Sequence, residues 1–388
     1  MNPIVILLAF ATFATGTAEN IIVGIVSDVA GELGVSLAFA GQLTAVFSIV
    51  FAITAPLALV LTMRVERRRL FLGALGVFIV SNLLAAASPN FASLVVARIG
   101  MAMASATVCL LATTLATELV DESRHGRAIG IIFMGISGSL VLGVPAGIFI
   151  CALTGWRGVF AALALLASLV CLVSWRKIPV SGRRNANLPK YLNHLGEAPL
   201  LAGQLVSILM IGGHFVLFAF LSPYLVLVVG DRNVAIAVAA LGIAGVGGGY
   251  LGGWLADRFS PRIVLLLVPA AYLLAFAAIP LARGIPWLMF GALLIWACVS
   301  WMISPVVQSF LISTGPETAE AGISLNLSTM HIGVGLGTAV GGMALGNLSI
   351  FALPWVGTVT SAFALIASCC AVQSSRSKAA RKALPAFR

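Results

Sequence analysis

Twelve long apolar stretches constrain this chain more than any single residue does. They fall at roughly 4–28, 38–62, 70–88, 91–117, 128–152, 156–175, 199–227, 234–256, 261–282, 285–311, 321–346 and 350–373, each near the ~20 residues a helix needs to cross ~30 Å of hydrocarbon. Little chain remains between them to make a polar shell. With 61% hydrophobic and 9% charged residues, the chain cannot hide its apolar surface from water, and an all-α integral membrane protein of twelve transmembrane helices is expected. Glycine at 40 of 388 positions suits helices that approach closely in lipid, where small residues govern packing.

The first stretch has no basic segment ahead of it and contains Glu19, so it reads as a retained span rather than a cleaved signal. An even number of spans puts both termini on one side. Placing them inside assigns eighteen Lys and Arg residues to the inner side, in the groups Arg64 to Arg69, Arg124 with Arg127, Arg176 to Lys190, Arg258 with Arg262, and Arg376 to Arg388. Only Arg157, Arg232 and Arg283 fall outside, and Arg98 lies within a span, which accounts for all 22. This asymmetry predicts cytoplasmic termini, N-in and C-in. It also explains the net charge of +10: the charges scatter over short loops without interleaved aromatics, so no nucleic-acid partner is expected. The polar connection 176–198 divides an amino-terminal six-helix bundle (1–175) from a carboxy-terminal one (199–373), leaving 374–388 as a basic cytoplasmic tail.

The two bundles are copies of one design. Met63 to Arg69 answers to Asp257 to Ile263 at an offset of 194 residues, and Leu142 to Gly147 answers to Leu336 to Gly341 at the same offset. Such duplication is common in secondary transporters. The six cysteines carry no metal-ligand spacing and read as small core residues. No metal or catalytic residue is expected: the chain shows no nucleophile and base constellation and no nucleotide-binding loop.

The segment Gly252, Gly253, Trp254, Leu255, Ala256, Asp257, Arg258, Phe259, Ser260, Pro261, Arg262 resembles the cytoplasmic Gly-x-x-x-Asp-Arg motif of the major facilitator superfamily. In the first-half copy Leu59 and Met63 stand where Gly and Asp are expected, while Arg64 and Arg68 remain in the basic run. Gly135, Gly138, Gly143, Pro145 and Gly147 resemble the antiporter signature of exporters in that superfamily. Gly16 to Glu19, Ala128 to Gly135, Gly212 to His214, and Trp296, Trp301, Pro305 and Gln308 look most like bacterial purine base and ribonucleoside efflux pumps and their sugar-efflux and chloramphenicol-resistance relatives. The resemblance covers nearly the whole chain. It implies two pseudo-symmetric bundles in a bacterial inner membrane, a monomer, and a proton-coupled drug or metabolite exporter with no cofactor beyond the coupling proton. It further implies that Gly253, Asp257, Arg258 and Arg262, with Arg64 and Arg68, gate the cytoplasmic side, and that Gly143, Pro145 and Gly147 form a pivot or seal.

Polar groups buried at membrane depth are functional candidates by default. Glu19 lies ~12 Å from the outer end of its span and Arg98 ~10 Å from the outer end of its own, so the two can meet. Glu19 is then either a coupling acid, beside Arg98, or half of a fixed ion pair. His214 and His331 sit mid-span as binders of substrate or protons, or as neutral histidines bonded to a neighbouring helix. Helical spacing forms four polar stripes: Thr12, Thr15, Glu19; Gln204, Ser207, His214; Ser324, Ser328, His331; and Trp296, Ser300, Ser304, Gln308. Together they suggest a polar cavity. Asn20, His214, Trp296, Ser300, Trp301, Gln308, Asn326 and His331 are its substrate-site candidates, the indoles for stacking on a flat ring and the amides for hydrogen bonds. The expected function is export of a purine- or nucleoside-like compound or a drug such as chloramphenicol. The alternatives are sugar efflux, or uptake by symport on the same scaffold.

Overall fold

In hydrocarbon every main-chain N–H and C=O must be paired within the protein, which leaves the helix as the natural spanning element of so apolar a chain. The computed structural model describes residues 3–62, 65–120, 125–179 and 191–383, and among these no strand occurs. Arg64, Arg124, Arg183, Arg184, Lys190 and Arg388 lie outside the described residues.

Among the described residues twelve helices are long and apolar enough to cross a membrane: Pro3–Leu33 (span 1), Leu37–Ala58 (span 2), Arg67–Ala86 (span 3), Phe91–Ala116 (span 4), Met134–Thr154 (span 5), Trp156–Lys177 (span 6), Ala198–Phe218 (span 7), Asp231–Arg258 (span 8), Pro261–Leu281 (span 9), Pro286–Thr314 (span 10), Ala321–Asn347 (span 11) and Ile350–Ser377 (span 12). The last helix runs on to Ala383, so the tail expected from 374 begins inside it. A short helix, Tyr191–Leu195, lies within the expected linker. The face on which the chain begins and ends is called here the near face, and the opposite one the far face.

Three prolines shape the helices in one way. Each lacks the N–H that would pair with the carbonyl four residues earlier, and at each the helix yields near that carbonyl. Span 7 stops at Phe218, around Ala219, and resumes as Leu221–Val229 ahead of Pro223. Span 10 breaks between Trp301 and Ile303 ahead of Pro305. In span 5, Ser139–Gly143 widens into a π turn ahead of Pro145, with the Val144 N–H bonded to the Ser139 carbonyl.

Small residues set the packing, and they do so twice. In the first half a Cβ on Gly16 would lie 2.6 Å from Ser139 Oγ, one on Gly143 would strike Thr17 Oγ1, and one on Gly147 would strike Ile21 Cδ1. Span 5 therefore lies tight against span 1. In the second half Gly333, Gly337 and Gly341 bring span 11 against the main chain of span 7 at Ile208, Gly212 and Val216. These positions are 194 residues beyond Ser139, Gly143 and Gly147, so the duplication read from the chain is a duplication of helix contact.

One apolar cluster runs through both halves, including Ile21, Phe47, Val216 and Trp296. Outward the helices show large apolar side chains such as Leu165, Ile236, Leu274 and Val359, as a lipid-facing surface requires. The halves meet along spans 2 and 11, at Gln42 against Gly342, Ile49 against Gly335 and Phe51 against His331. A second seam runs between spans 5 and 8, where a Cβ on Gly242 would lie 3.2 Å from the Leu140 carbonyl oxygen. Span 2 starts at the far face and span 11 ends there, so the first seam runs from the far face to mid-membrane.

Candidate functional site

At the inner end of that seam sits a contact between the halves. Glu19 Oε1 of span 1 lies 3.3 Å from His331 Nε2 of span 11, with 20% and 11% of the two side chains exposed. The distance is that of an ion pair, while Nε2 is not aligned as a hydrogen-bond donor. The other ring nitrogen, Nδ1, lies 2.9 Å from the Leu327 carbonyl oxygen. Phe51 of span 2 stacks on the imidazole at 3.8 Å and 2° between planes. His331 is thus held between two side chains of the opposite half.

Arg98 is fully buried and does reach span 1, as the depths predict, but it meets the main chain. Its guanidinium donates to the carbonyls of Ala18, of Glu19 (3.2 Å) and of Leu43 (3.4 Å), and lies 4.3 Å from the Phe47 ring centroid. The ion-pair partner of the Glu19 carboxylate among the described residues is His331, not Arg98. Next to it, Asn20 is turned inward on its own helix, its amide donating to Gly16 O at 3.0 Å.

The polar stripe of span 7 divides. Gln204 and Ser207 bind span 11, where Asn326 Nδ2 donates to Gln204 Oε1 (3.1 Å) and Ser207 Oγ (2.7 Å) and Thr329 Oγ1 donates to Gln204 Oε1 (2.9 Å). Gln204 Nε2 in turn donates to Gly322 O (2.9 Å) and lies 3.3 Å from His194 Nε2. Both donor hydrogens of Asn326 are engaged here. His194, in the short linker helix, completes the network with Nδ1 3.1 Å from Thr318 Oγ1, and burial lowers its pKa against smaller opposing effects of Thr318 and Glu197. Sequence reasoning passed over His194, Thr318 and Thr329, whose positions carry no polar periodicity.

His214 has a different setting. It stacks on Trp296 (4.6 Å, 21°) and Phe218 (4.7 Å, 27°), with Trp301 edge-on at 6.0 Å. It is 2% exposed and neither ring nitrogen has a hydrogen-bond partner among the described residues. The group borders a cavity of about 20 Å³ closed by Leu140 and Val144 of span 5 and by Val238, Leu241 and Gly242 of span 8, room for about one water molecule. Further along span 10, Ser300 donates to Ala297 O (2.9 Å) and Gln308 to Ser304 Oγ (3.2 Å).

The near-face motif differs in detail from expectation. Asp257 and Arg258 are exposed at the end of span 8, and Arg262 donates to Ser375 Oγ of span 12 at 3.1 Å. A Cβ on Gly253 would meet nothing within 4 Å, whereas one on Gly252 would lie 2.7 Å from Met302 Cα and one on Gly248 would strike the Cys298 carbonyl. Close contact therefore falls to Gly252 and not to Gly253, because Gly252 is one turn along from Gly248 on the face toward span 10. In the first half Arg67 pairs with Glu118 and Arg68 donates to the Trp175 carbonyl, joining spans 4 and 6 to the start of span 3; Arg64 lies outside the described residues.

Twelve spans in two repeated halves, meeting around a partly exposed acid and a buried histidine, define a polytopic membrane transporter and not an enzyme. The Major Facilitator Superfamily model matches residues 8–338, and the chain belongs to that superfamily. An uncharacterized MFS-type transporter of Bacillus subtilis (strain 168), YbcL, is 32% identical over 365 residues, 93% of this chain and 94% of the relative. A probable sugar efflux transporter of Mannheimia succiniciproducens is 26% identical over 93% of this chain and 92% of its own. Among solved structures, a bacterial homolog of the human lysosomal transporter Spinster, inward-facing and occupied, superposes with a TM-score of 0.77 at 19% identity, covering 96% of each chain. A D-xylose-proton symporter gives 0.77 at 15% identity, covering 94% of this chain and 96% of that one. At these identities the two structures speak to the fold alone.

Proposed function

We propose that the protein is a proton-driven exporter. A small polar or amphipathic molecule binds between the halves, Glu19 exchanges a proton, and the halves rock about the site in alternating access. The observation that carries this reading is the place of Glu19: a partly exposed carboxylate at mid-membrane, on a helix anchored by Arg98, touching the opposite half. A carboxylate there costs too much to be incidental. Both termini lie in the cytoplasm of a bacterial cell, by the Lys and Arg asymmetry. The far-face seam then makes this an inward-facing arrangement.

For the substrate, the stacked His214 and Trp296, with Trp301 edge-on beside them, favour a flat heterocycle able to bond an imidazole nitrogen, a purine base or nucleoside, or a drug such as chloramphenicol with an aromatic ring. A second reading, sugar efflux, draws on the relatives named as probable sugar efflux transporters, since indole faces also pack on sugar rings. The test is uptake into inverted vesicles under an inward-acidic gradient, run with purines, nucleosides, pentoses and chloramphenicol. Accumulation of one class that collapses with the gradient supports the reading; uptake indifferent to the gradient overturns proton coupling.

A further inference from the structure

We propose that Glu19 and His331 form a single proton-binding site shared by the two halves, and that its proton holds the far face shut. The inference rests on the proton-driven reading and assigns His331 as the partner that couples the proton to the conformation.

The proton count follows from hydrogen-bond roles. A carbonyl oxygen only accepts, so Nδ1 of His331, 2.9 Å from the Leu327 carbonyl, carries its hydrogen. Nε2, 3.3 Å from Glu19 Oε1 but not aligned on it, then either bears a second proton or is unprotonated. A negative charge at that distance, beside side chains only 20% and 11% exposed, favours the charged form of the ring, whereas two unprotonated groups would set the electron-rich edge of the imidazole beside the carboxylate. The contact therefore calls for one proton, on Nε2 as an imidazolium or on the carboxyl group as the acid. Phe51 favours the first form, because its ring face lies parallel to the imidazole at 3.8 Å and attracts a cation.

The surrounding groups leave this assignment intact. Glu19 acts electrostatically on Arg98 and on the Cys109 thiol, both of span 4. The guanidinium is occupied by the carbonyls of Ala18, Glu19 and Leu43, and Cys109 lies against Thr15 at 3.7 Å. Span 2 supplies Phe51, and span 11 supplies the Leu327 carbonyl. In span 7 the polar side chains bonded to span 11, Gln204 and Ser207, are not ionisable and are held by Asn326.

Opening of the far face draws spans 1 and 2 away from span 11, which parts Glu19 and Phe51 from His331. Joined, the pair holds one proton; parted, the two groups hold it less tightly. The closed state thus binds more protons, so falling pH favours closure of the far face and rising pH favours opening. That order suits export: a proton taken from the far side shuts that face, and its loss on the near side frees the halves to carry substrate outward.

The test uses purified, substrate-free protein in nanodiscs, with its native cysteines replaced and spin labels at Ser36 and Leu348, which are exposed at the far-face ends of spans 2 and 11. The closed-to-open ratio, read as the inter-label distance, should fall with rising pH by up to tenfold per unit, the limit for one proton. In Glu19→Gln and in His331→Phe that dependence should vanish. A pH shift of the same size in both variants overturns the shared site, even if vesicle uptake remains proton-driven. Loss of the shift in the variants supports it, even if no proton-driven uptake is found and the exporter reading fails.

Discussion

Arg98 of span 4 donates to the main-chain carbonyl of Ala18 in span 1, so the cation at the centre of the first half brackets a backbone, and the Glu19 carboxylate acts on it only from beyond ion-pair contact. Replacing it by alanine removes hydrogen bonds from a charged donor, at ~1.5–3 kcal/mol each, and empties its fully buried site, while the carbonyls of Ala18, Glu19 and Leu43 keep their own helical N–H partners. Arg98→Ala should lower the thermal midpoint of the purified protein far more than Glu19→Gln does. Equal losses would mean that the guanidinium answers to the Glu19 side chain after all.

Gly143→Ala should destabilise by about 1–3 kcal/mol, because the new methyl group meets Thr17 Oγ1. Adding Thr17→Ala should restore much of the loss. Its second-half equivalent, Gly337→Ala, meets the Gly212 carbonyl, which no rotamer change can move. It should be the more damaging, with no single side-chain rescue. Thermal unfolding of the three variants reads both expectations.

On span 8 the contrast is between neighbours. Gly252→Ala should push span 10 away at Met302 and lower both stability and transport, while Gly253→Ala, facing open space, should leave the midpoint unchanged or raise it slightly through better helix propensity. A reversed order would show that Gly253 packs in another conformation of the cycle.

The docking of the linker helix should depend on pH through His194. Its Nε2 accepts from Gln204, whose other amide hydrogen is engaged by Gly322, so a proton on Nε2 would face a donor. With its pKa lowered by burial, the folded form binds fewer protons than the released form. Stability is therefore full above the unfolded value near 6.5 and is lost as pH falls below it. Hydrogen-exchange protection of Tyr191–Leu195 should drop between about pH 7 and pH 5, and His194→Leu should flatten that profile.

Length and hydropathy made the twelve spans legible, and the 194-residue offset marked the glycine rows before any contact was known. The buried acid and the depth of Arg98 were also readable, since charge inside an apolar run stands out. Their partners were not. Which atom of Glu19 Arg98 meets depends on the rotation of two helices that share no sequence neighbourhood, and Phe51 carries no mark that separates it from any other apolar residue of span 2. The stripe of span 7 misled for a related reason: Gln204 and His214 share a helical face, but span 11 covers one and the aromatic residues of spans 7 and 10 surround the other. Periodicity reports a face, and the neighbouring helices decide what that face touches.

The π turn of span 5 has a geometric consequence for the row Gly135, Ser139, Gly143, Gly147. Steps of four residues overshoot a turn of 3.6 by about 40° each, so on a regular helix the row would wind off to one side before its end. A turn of wider gauge takes part of that drift back. The small residues then form a straight keel along span 1 from Ala9 to Ile21. Deleting one residue from Ser139–Gly143 would return the helix to regular pitch and turn Gly147 off the keel. Span 5 gives up one turn of regular hydrogen bonding to stay aligned along its length.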